Sequence, residues 1–259
     1  RQRQMCIRDS SIGIVSLDEY ISSCDDILVA ADTACYLAKE SGRGKVHILQ
    51  PGEANILNPK DSSRIVQRIE ECLEHKRFEL FCQPIRLLGR VDQAGETMCE
   101  ILLRIPGQET EYLLPGTFMP VAERNRMGNM IDRWVVSQTL ACLNQHALTE
   151  NRYDVCSINI TTNSLLDESF IEYFESALSE NAIEPARICF EIAESDFVNN
   201  SDAVQKFYSQ MKHLGTRVAI DDFTGNTAVT LNLQNMNIDY LKIDHSIIHD
   251  LNGNPVQCH

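Results

Sequence analysis

From Arg77 onward, short apolar runs alternate with longer amphipathic stretches. Six runs have the length and the aliphatic and aromatic content of strands, at residues 78–85, 98–105, 153–160, 187–192, 217–220 and 239–243. Apolar residues at a helical period fill longer intervals, at residues 132–145, 169–181 and 201–214. Strands that alternate with helices predict parallel strands joined by crossovers. No Gly-rich phosphate loop follows the first strand, which favours an α/β barrel over a doubly wound sheet.

The first sixty residues are organised differently. Residues 1–9 (RQRQMCIRD) have no apolar period, and we interpret them as a non-native leader. Residues 10–50 predict a strand, a helix and a strand, which are too few to bury a core alone, so we expect the tail of a longer domain. Residues 51–63 are polar and broken by Pro and Gly, which predicts a linker. A helical period resumes at residues 64–75.

Composition narrows the classes of partner. The net charge of -14 argues against long nucleic acid, whose binding depends on cationic groups that displace counterions. No run approaches the roughly 18 to 20 apolar residues of a membrane helix, so we expect no membrane segment in this chain. Ten cysteines without a CxxC pair predict a reducing, cytoplasmic setting. This prediction leaves open a membrane anchor upstream of this chain in a full-length parent.

Polar residues interrupt the apolar strands at or near their ends. The set is Glu100 in CEILLR, Asn159 in SINIT, Glu191 in FEIAES, Asp221 and Asp222 after VAI, and Lys242 in YLKID. In a parallel barrel this edge carries the functional groups. A single acid at a strand end is more often a helix cap or solvated, but five oxygen ligands inside apolar strands are costly to bury without a cation. Oxygen ligands suit Mg²⁺ or Mn²⁺ rather than zinc. Lys242 would orient or deprotonate a water molecule; the alternative is a structural salt bridge.

Taken together in order, these motifs resemble one family. They are Gln83-Pro84-Ile85, Glu100-Ile101-Leu102 followed by Leu103-Arg104, PGTFMPVAE at 115–123, Asn159, Glu191-Ile192-Ala193-Glu194, Asp221-Asp222-Phe223 and Leu241-Lys242-Ile243-Asp244. From residue 64 to residue 259 the chain resembles an EAL domain, the cyclic di-GMP phosphodiesterase family. The resemblance implies a modified TIM barrel, a homodimer formed through this domain, and Mg²⁺- or Mn²⁺-dependent opening of cyclic di-GMP to linear pGpG in signalling.

The resemblance also implies a role for each matched residue. Glu100, Asn159, Glu191 and Asp221 correspond to the ligands of a first metal ion, and Asp222 to a ligand of a second. Gln83 and Arg104 are similar to residues that hold the guanine or phosphate of the substrate. Lys242 matches the catalytic lysine that contacts the attacking water.

Two departures from the family pattern leave a second function open. The loop reads DDFTGNTA where the family usually has DDFGTGYSS, so Thr224 and Asn226 replace glycines and are expected to change the loop path. The chain also stops at His259, before two further strands and helices of the family, so we expect an incomplete barrel that is unstable and weak or inactive in hydrolysis. The alternative function is a catalytically degenerate module that binds cyclic di-GMP and regulates.

A second resemblance concerns residues 10–50. The pattern AD-x-A-x-Y-x-AK at residues 31–39, followed by Gly42-Arg43, is similar to the C-terminal end of a diguanylate cyclase (GGDEF) domain. The full expectation is therefore an α/β chain with a TIM-like barrel, incomplete at its C-terminal end, after a short α/β fragment of a GGDEF domain.

Overall fold

The structure is a computed structural model that describes residues 12–15, 27, 31, 34, 38, 46–49, 59–86, 97–107, 112–145, 153–233, 236–244 and 247. The chain divides into two compact units, one of residues 1–75 and 113–125 and one of residues 76–112 and 126–259. The leader expected at residues 1–9 and the turn at Gly42-Arg43 lie outside the described residues.

The first unit contains a small parallel sheet. Strands β1 (Ile12–Val15) and β2 (Val46–Leu49) pair in parallel, with Ile12 opposite Val46. Between them, Ala34 and Ala38 are helical and fully buried, which agrees with the predicted order of strand, helix and strand. Helices α1 (Pro59–His75) and α2 (Pro115–Arg124) also belong to this unit.

Helix α1 begins inside the segment expected to be a linker. It starts at Pro59, five residues before the predicted start, so the last five residues of the expected linker at residues 51–63 are helical. The reason is that proline is compatible with the first turn of a helix, where its missing N–H would have had no partner.

The second unit is built on a mixed sheet with six strands in sequence. Its strands are β3 (Glu79–Ile85), β4 (Met98–Pro106), β6 (Val155–Asn159), β7 (Ile188–Ala193), β8 (Arg217–Phe223) and β9 (Tyr240–Ile243), in that spatial order, and a two-residue strand β5 (Tyr112–Leu113) follows β4 in the chain. All six predicted strands are present, and β8 runs three residues further than predicted. From β4 to β9 every neighbouring pair is parallel.

Strand β3 is the exception to the predicted parallel arrangement. It pairs antiparallel with β4, so that Gln83 lies opposite Glu100 and Ile85 lies opposite Met98. Antiparallel neighbours need only a short connection, whereas parallel neighbours need a crossover that is usually helical. Residues 86–97 (RLLGRVDQAGET) have no helical apolar period, which accounts for the difference. The mixed α/β order still fits a TIM-like fold.

The helices of the second unit follow the strands. They are α3 (Gly128–Gln145), α4 (Thr162–Leu165), α5 (Ser169–Asn181), α6 (Glu194–Asn199), α7 (Ser201–Leu214) and α8 (Thr227–Leu233), with a 3₁₀ turn at Pro185–Arg187. Helices α5 and α7 have the predicted bounds, and α3 begins four residues earlier than predicted. None of the described helices is long and apolar enough to cross a membrane.

Phenylalanine side chains pack helices α5 and α7 against β7. Phe190 on β7 meets Phe174 of α5 at a centroid distance of 5.0 Å and an angle of 73°, and Phe207 of α7 at 5.6 Å and 74°. These are edge-to-face contacts, which are favourable beyond the area they bury. Because side chains alternate along a strand, Glu191 points away from this layer, to the face shared by Cys189. Cys189 packs there with Met98, Val155 and Ala219, so the candidate site lies beside an apolar layer.

Candidate active site

Five strands bring the polar residues singled out above to one region of the sheet. Asn159 is the last residue of β6 and lies opposite Glu191 of β7, while Asp221 of β8 lies opposite Ala193 of β7. Glu100 lies deeper than expected, third among the nine residues of β4 and level with Ser157. Parallel strands place their carboxyl ends at the same edge, which explains why residues distant in sequence meet here.

The ammonium group of Lys242, on β9, is the centre of the cluster. Its Nζ donates to Glu191 Oε2 at 2.6 Å and to Glu100 Oε2 at 3.0 Å, and it lies 3.2 Å from Asp221 Oδ1. Asn159 Nδ2 donates to the other oxygen of Glu100 at 3.1 Å. The five side chains therefore form one connected network in which one ammonium faces three carboxylates.

Burial and charge act in opposite directions on the pKa values of Glu191 and Lys242. The side chain of Glu191 is 1% exposed, and burial raises its pKa to about 7 even though the charge and hydrogen bond of Lys242 lower it. Burial lowers the pKa of Lys242, but the carboxylates of Glu191 and Asp221 and the hydrogen bonds it makes outweigh that effect and raise the pKa above its usual value. Lys242 is therefore charged at neutral pH, and Glu191 titrates near neutrality.

The carboxylate oxygens of the cluster are the type of donor atom that a hard divalent cation binds. In the part of the chain that the structure describes, no group of three or more His, Cys, Asp or Glu side chains is already arranged to hold a metal ion. Instead, carboxylate oxygens of Glu100, Glu191 and Asp221 lie within 3.2 Å of Lys242 Nζ. Oxygen donors of this type are those that Mg²⁺ and Mn²⁺ prefer. The salt bridge expected as the alternative role of Lys242 is therefore present. A metal ion that bound all three oxygens would take the place of the ammonium.

Asp222 has different surroundings from its neighbour. Its φ is 53°, in the left-handed region that is costly for residues other than glycine, and its N–H donates to Asp221 Oδ1 at 3.0 Å. Its side chain is exposed, whereas that of Asp221 is partly buried beside Lys242. Asp221 thus belongs to the network around the ammonium, at 3.2 Å from Lys242 Nζ.

Gln83 and Arg104 lie on the same face of the β3–β4 pair as Glu100. Gln83 is the direct partner of Glu100 across the strands and is exposed. Arg104 is four residues further along β4, and its guanidinium lies 5.7 Å from the centre of the Phe81 ring and donates to Leu103 O at 2.8 Å. An amide, a guanidinium and an aromatic ring beside the acids suit a ligand that has planar bases and phosphates.

Glu194, which the sequence places in a matched motif without indicating a role, holds the loop beside the site. It is 7% exposed, and its carboxylate accepts from Thr224 N at 3.0 Å, from the Thr224 hydroxyl and from Asn226 N at 3.1 Å. Gly225, between these two, has a φ of 83°. The loop after the aspartates is therefore fastened by one buried carboxylate, and the threonine in the place of a family glycine adds a hydroxyl donor. The spacing of Glu194, three residues after Glu191, was the available signal.

Comparisons with known proteins agree with this architecture. The family model of the EAL domain matches residues 66–257. Cyclic di-GMP phosphodiesterase PdeF of Escherichia coli (strain K12) is 32% identical over 197 residues, which are 75% of this chain and 25% of PdeF. Cyclic di-GMP phosphodiesterase PdeB of Shewanella oneidensis is 29% identical over 241 residues, 93% of this chain and 28% of PdeB. This chain thus spans about a quarter of the length of these curated relatives.

Among solved structures, the FimX EAL domain from Pseudomonas aeruginosa bound to c-di-GMP has the same fold. Its TM-score is 0.65 at 23% identity, and the match covers 74% of this chain and 76% of that one.

Proposed function

The chain belongs to the EAL domain family, and from this membership we propose that it hydrolyses cyclic di-GMP to linear pGpG with Mg²⁺ or Mn²⁺, in bacterial second-messenger signalling. The observation that carries the proposal is the convergence of Glu100, Glu191 and Asp221 on Lys242. The names of PdeF and PdeB support hydrolysis of cyclic di-GMP as the reaction.

The proposed metal site uses the oxygens described above. Glu100, Asn159, Glu191 and Asp221 would hold the first ion, and Asp222 would belong to a second. When bound, such ions supply Lewis acidity to the phosphodiester. The positive charge of the ions would also offset the negative charge of the acids, which would otherwise repel an anionic substrate.

Lys242 is proposed to orient the attacking water. Because the neighbouring carboxylates raise the pKa of Lys242, its Nζ is a hydrogen-bond donor at neutral pH. A protonated lysine donates to the oxygen of water and fixes its position, whereas removal of a proton from water would require a neutral amine. We therefore propose that Lys242, which donates to Glu191 and Glu100 when no metal ion is bound, orients the water rather than deprotonates it.

Substrate binding is proposed on the β3–β4 face. The Arg104 guanidinium, which lies over Phe81, offers a cation for a phosphate, and the exposed amide of Gln83 offers hydrogen bonds to a guanine edge. Both lie on the face that bears Glu100, which keeps the bound phosphodiester close to the acids.

A cleavage assay on the full 259-residue chain tests the proposal. We expect slow, Mn²⁺-dependent formation of pGpG that is lost in Glu100→Ala and kept in Glu172→Ala, which removes an exposed carboxylate from α5. Equal cleavage by Glu100→Ala would show that Glu100 is no ligand. Binding of cyclic di-GMP without any Mn²⁺-dependent cleavage would replace the enzyme with the regulatory binding module.

We also propose that residues 10–50 form the C-terminal end of a GGDEF domain. The parallel pairing of β1 with β2 and the buried Ala34 and Ala38 between them support a β-α-β unit there. Homodimerisation through the EAL domain and a cytoplasmic location stay predictions, which light scattering and cell fractionation would check.

A further inference from the structure

A buried carboxylate outside the acid cluster binds the turn that follows Asn159. Asp132 on α3 is 3% exposed, and one of its oxygens, Oδ2, accepts from Thr161 N at 2.9 Å, from Thr161 Oγ1 at 2.6 Å and from Ser164 Oγ at 2.6 Å. All three donors lie at the junction of β6 and α4, where Thr161 is the residue that caps the helix. A buried charged acceptor with three donors holds their geometry strongly, because hydrogen bonds to ions are stronger than neutral ones.

Gly128, one helical turn before Asp132, fixes how closely α3 approaches this junction. Its N–H donates to Asn163 Oδ1 at 3.1 Å. A Cβ built on Gly128 would lie 2.7 Å from Asn163 Oδ1 and 2.7 Å from Thr161 Oγ1, which is closer than real Cβ contacts. The first turn of α3 thus touches the β6–α4 junction with its backbone, and the glycine makes this approach possible.

The same junction is held on its other side. Ile160 N donates to Glu191 O at 3.1 Å, and Thr162 Oγ1 donates to Asp196 Oδ1 at 2.7 Å. Asn159 itself is exposed at the end of its strand. Its side chain donates to Glu100 Oε1 at 3.1 Å, and its direction also depends on the backbone that follows it, which the hydrogen bonds of Asp132 to Thr161 hold in place.

We propose that Asp132, with the close approach that Gly128 permits, is a positioning residue that holds Asn159 ready to bind the metal ion. The inference rests on the proposed function, because that function assigns Asn159 to the metal. Removal of a residue that orients a metal ligand typically weakens metal binding by about 10- to 100-fold. Asp132 acts here through Thr161, two residues from Asn159.

Mn²⁺ affinity of the full chain, measured by calorimetry, tests the proposal without reliance on turnover. We expect Asp132→Ala to raise the dissociation constant for Mn²⁺ about tenfold. Asp132→Asn retains an oxygen acceptor and should restore part of the affinity. The control is Thr216→Val, which removes a buried hydroxyl that donates to Met211 O at 2.8 Å, beyond the opposite end of β8. It should lower stability and leave the dissociation constant within about twofold, since one neutral hydrogen bond far from the ligands is lost.

The outcomes separate this inference from the proposed function. If wild type binds Mn²⁺ and folded Asp132→Ala binds it equally well, the positioning role is wrong and the metal site stands. If wild type binds no Mn²⁺, both are overturned. Should Asp132→Ala fail to fold, Thr161→Val removes one donor and keeps the backbone bond to Asp132. A folded Thr161→Val with unchanged affinity would equally overturn the role, and a loss of about fivefold would support it.

Discussion

Replacement of Lys242 by methionine tests whether the ammonium is the counter-charge of the acid cluster. Methionine keeps an unbranched apolar stem and removes the charge. Glu100, Glu191 and Asp221 then lose the cation that lies within 3.2 Å of each. Their mutual repulsion and the burial of Glu191 are no longer offset, so the native state should lose stability.

The size of the loss follows from the burial of the partners. Removal of one partner of a fully buried ion pair costs roughly 3 to 5 kcal/mol. Lys242 is 30% exposed, so water screens part of the charge and we expect a smaller loss, of about 2 kcal/mol at pH 8. Because Lys242 lowers the pKa of Glu191, its removal raises that pKa further above the value of about 7. The folded variant then binds a proton more tightly than the unfolded chain, so its stability falls as pH rises, and the loss should be larger at pH 8 than at pH 6.

A divalent ion should replace the missing ammonium. We therefore expect the loss in Lys242→Met to be present in EDTA and to shrink or reverse in saturating MnCl₂. Urea unfolding measures it through Trp134, the single tryptophan, whose ring lies 5.2 Å from that of Phe78 in the unit that carries the site.

A matched lysine elsewhere provides the control. Lys212 lies 2.8 Å from Asp239, with 26% and 25% of the two side chains exposed, and Lys212→Met should cost up to about 1 kcal/mol with or without Mn²⁺. A loss in Lys242→Met that is equal in EDTA and MnCl₂, or no larger than that of the control, would refute the reasoning.

Three further predictions concern the loop, the buried aspartate and the thiols. Glu194→Gln removes the charged acceptor of Thr224 and Asn226, so backbone amide exchange at these two residues should speed up while circular dichroism stays unchanged. Burial raises the pKa of Asp132 to about 6, so the native state takes up a proton below that pH and the free energy of unfolding should rise from pH 7 to pH 5, less so in Asp132→Asn, as urea titrations at several pH values would show. Native iodoacetamide labelling mapped by mass spectrometry should modify the exposed cysteines and spare the buried ones, since burial keeps the reagent from the thiols and, at Cys189, also raises the pKa to about 12. Among the cysteines that the structure describes, the exposed ones are Cys82 and Cys142, and the buried ones are Cys72, Cys99, Cys156 and Cys189.

Apolar periodicity was sufficient to predict the six longer strands of the second unit and the four longest helices, α1, α3, α5 and α7, because each of these elements buries a face set by local sequence. The direction of β3 was not predictable in this way, since pairing direction is a tertiary property that the pattern of one strand does not contain. The end of β8 was missed because Asp221 and Asp222 interrupt the apolar run, although the strand continues to Phe223. Polar residues in the last turns of the pleat thus make the end of a strand hard to recognise from an apolar run.

For the site, the sequence identified which side chains converge and not what each one contacts. The sequence left two roles open for Lys242, an action on a water molecule and a structural salt bridge. Its distances to the three acids are known only from the fold. Glu194 and Asp132 were not singled out as functional because their partners lie 30 and 29 residues further along the chain, on elements whose contacts no local pattern reveals. Neither residue interrupts a strand, so neither stood out as polar among apolar neighbours.

The antiparallel pairing of β3 with β4 offers a place for a reporter. Ile85 and Met98 lie side by side, and Met98 is level with Val155 at the start of β6, whereas Asn159 marks the end of that strand. A fluorescent protein spliced between residues 86 and 97 would therefore join the chain at the margin away from the end of β6, at two anchor points already close together. The antiparallel pairing of β3 with β4, which departs from the predicted parallel arrangement, thus gives an insertion point for a reporter away from the strand end that carries Asn159.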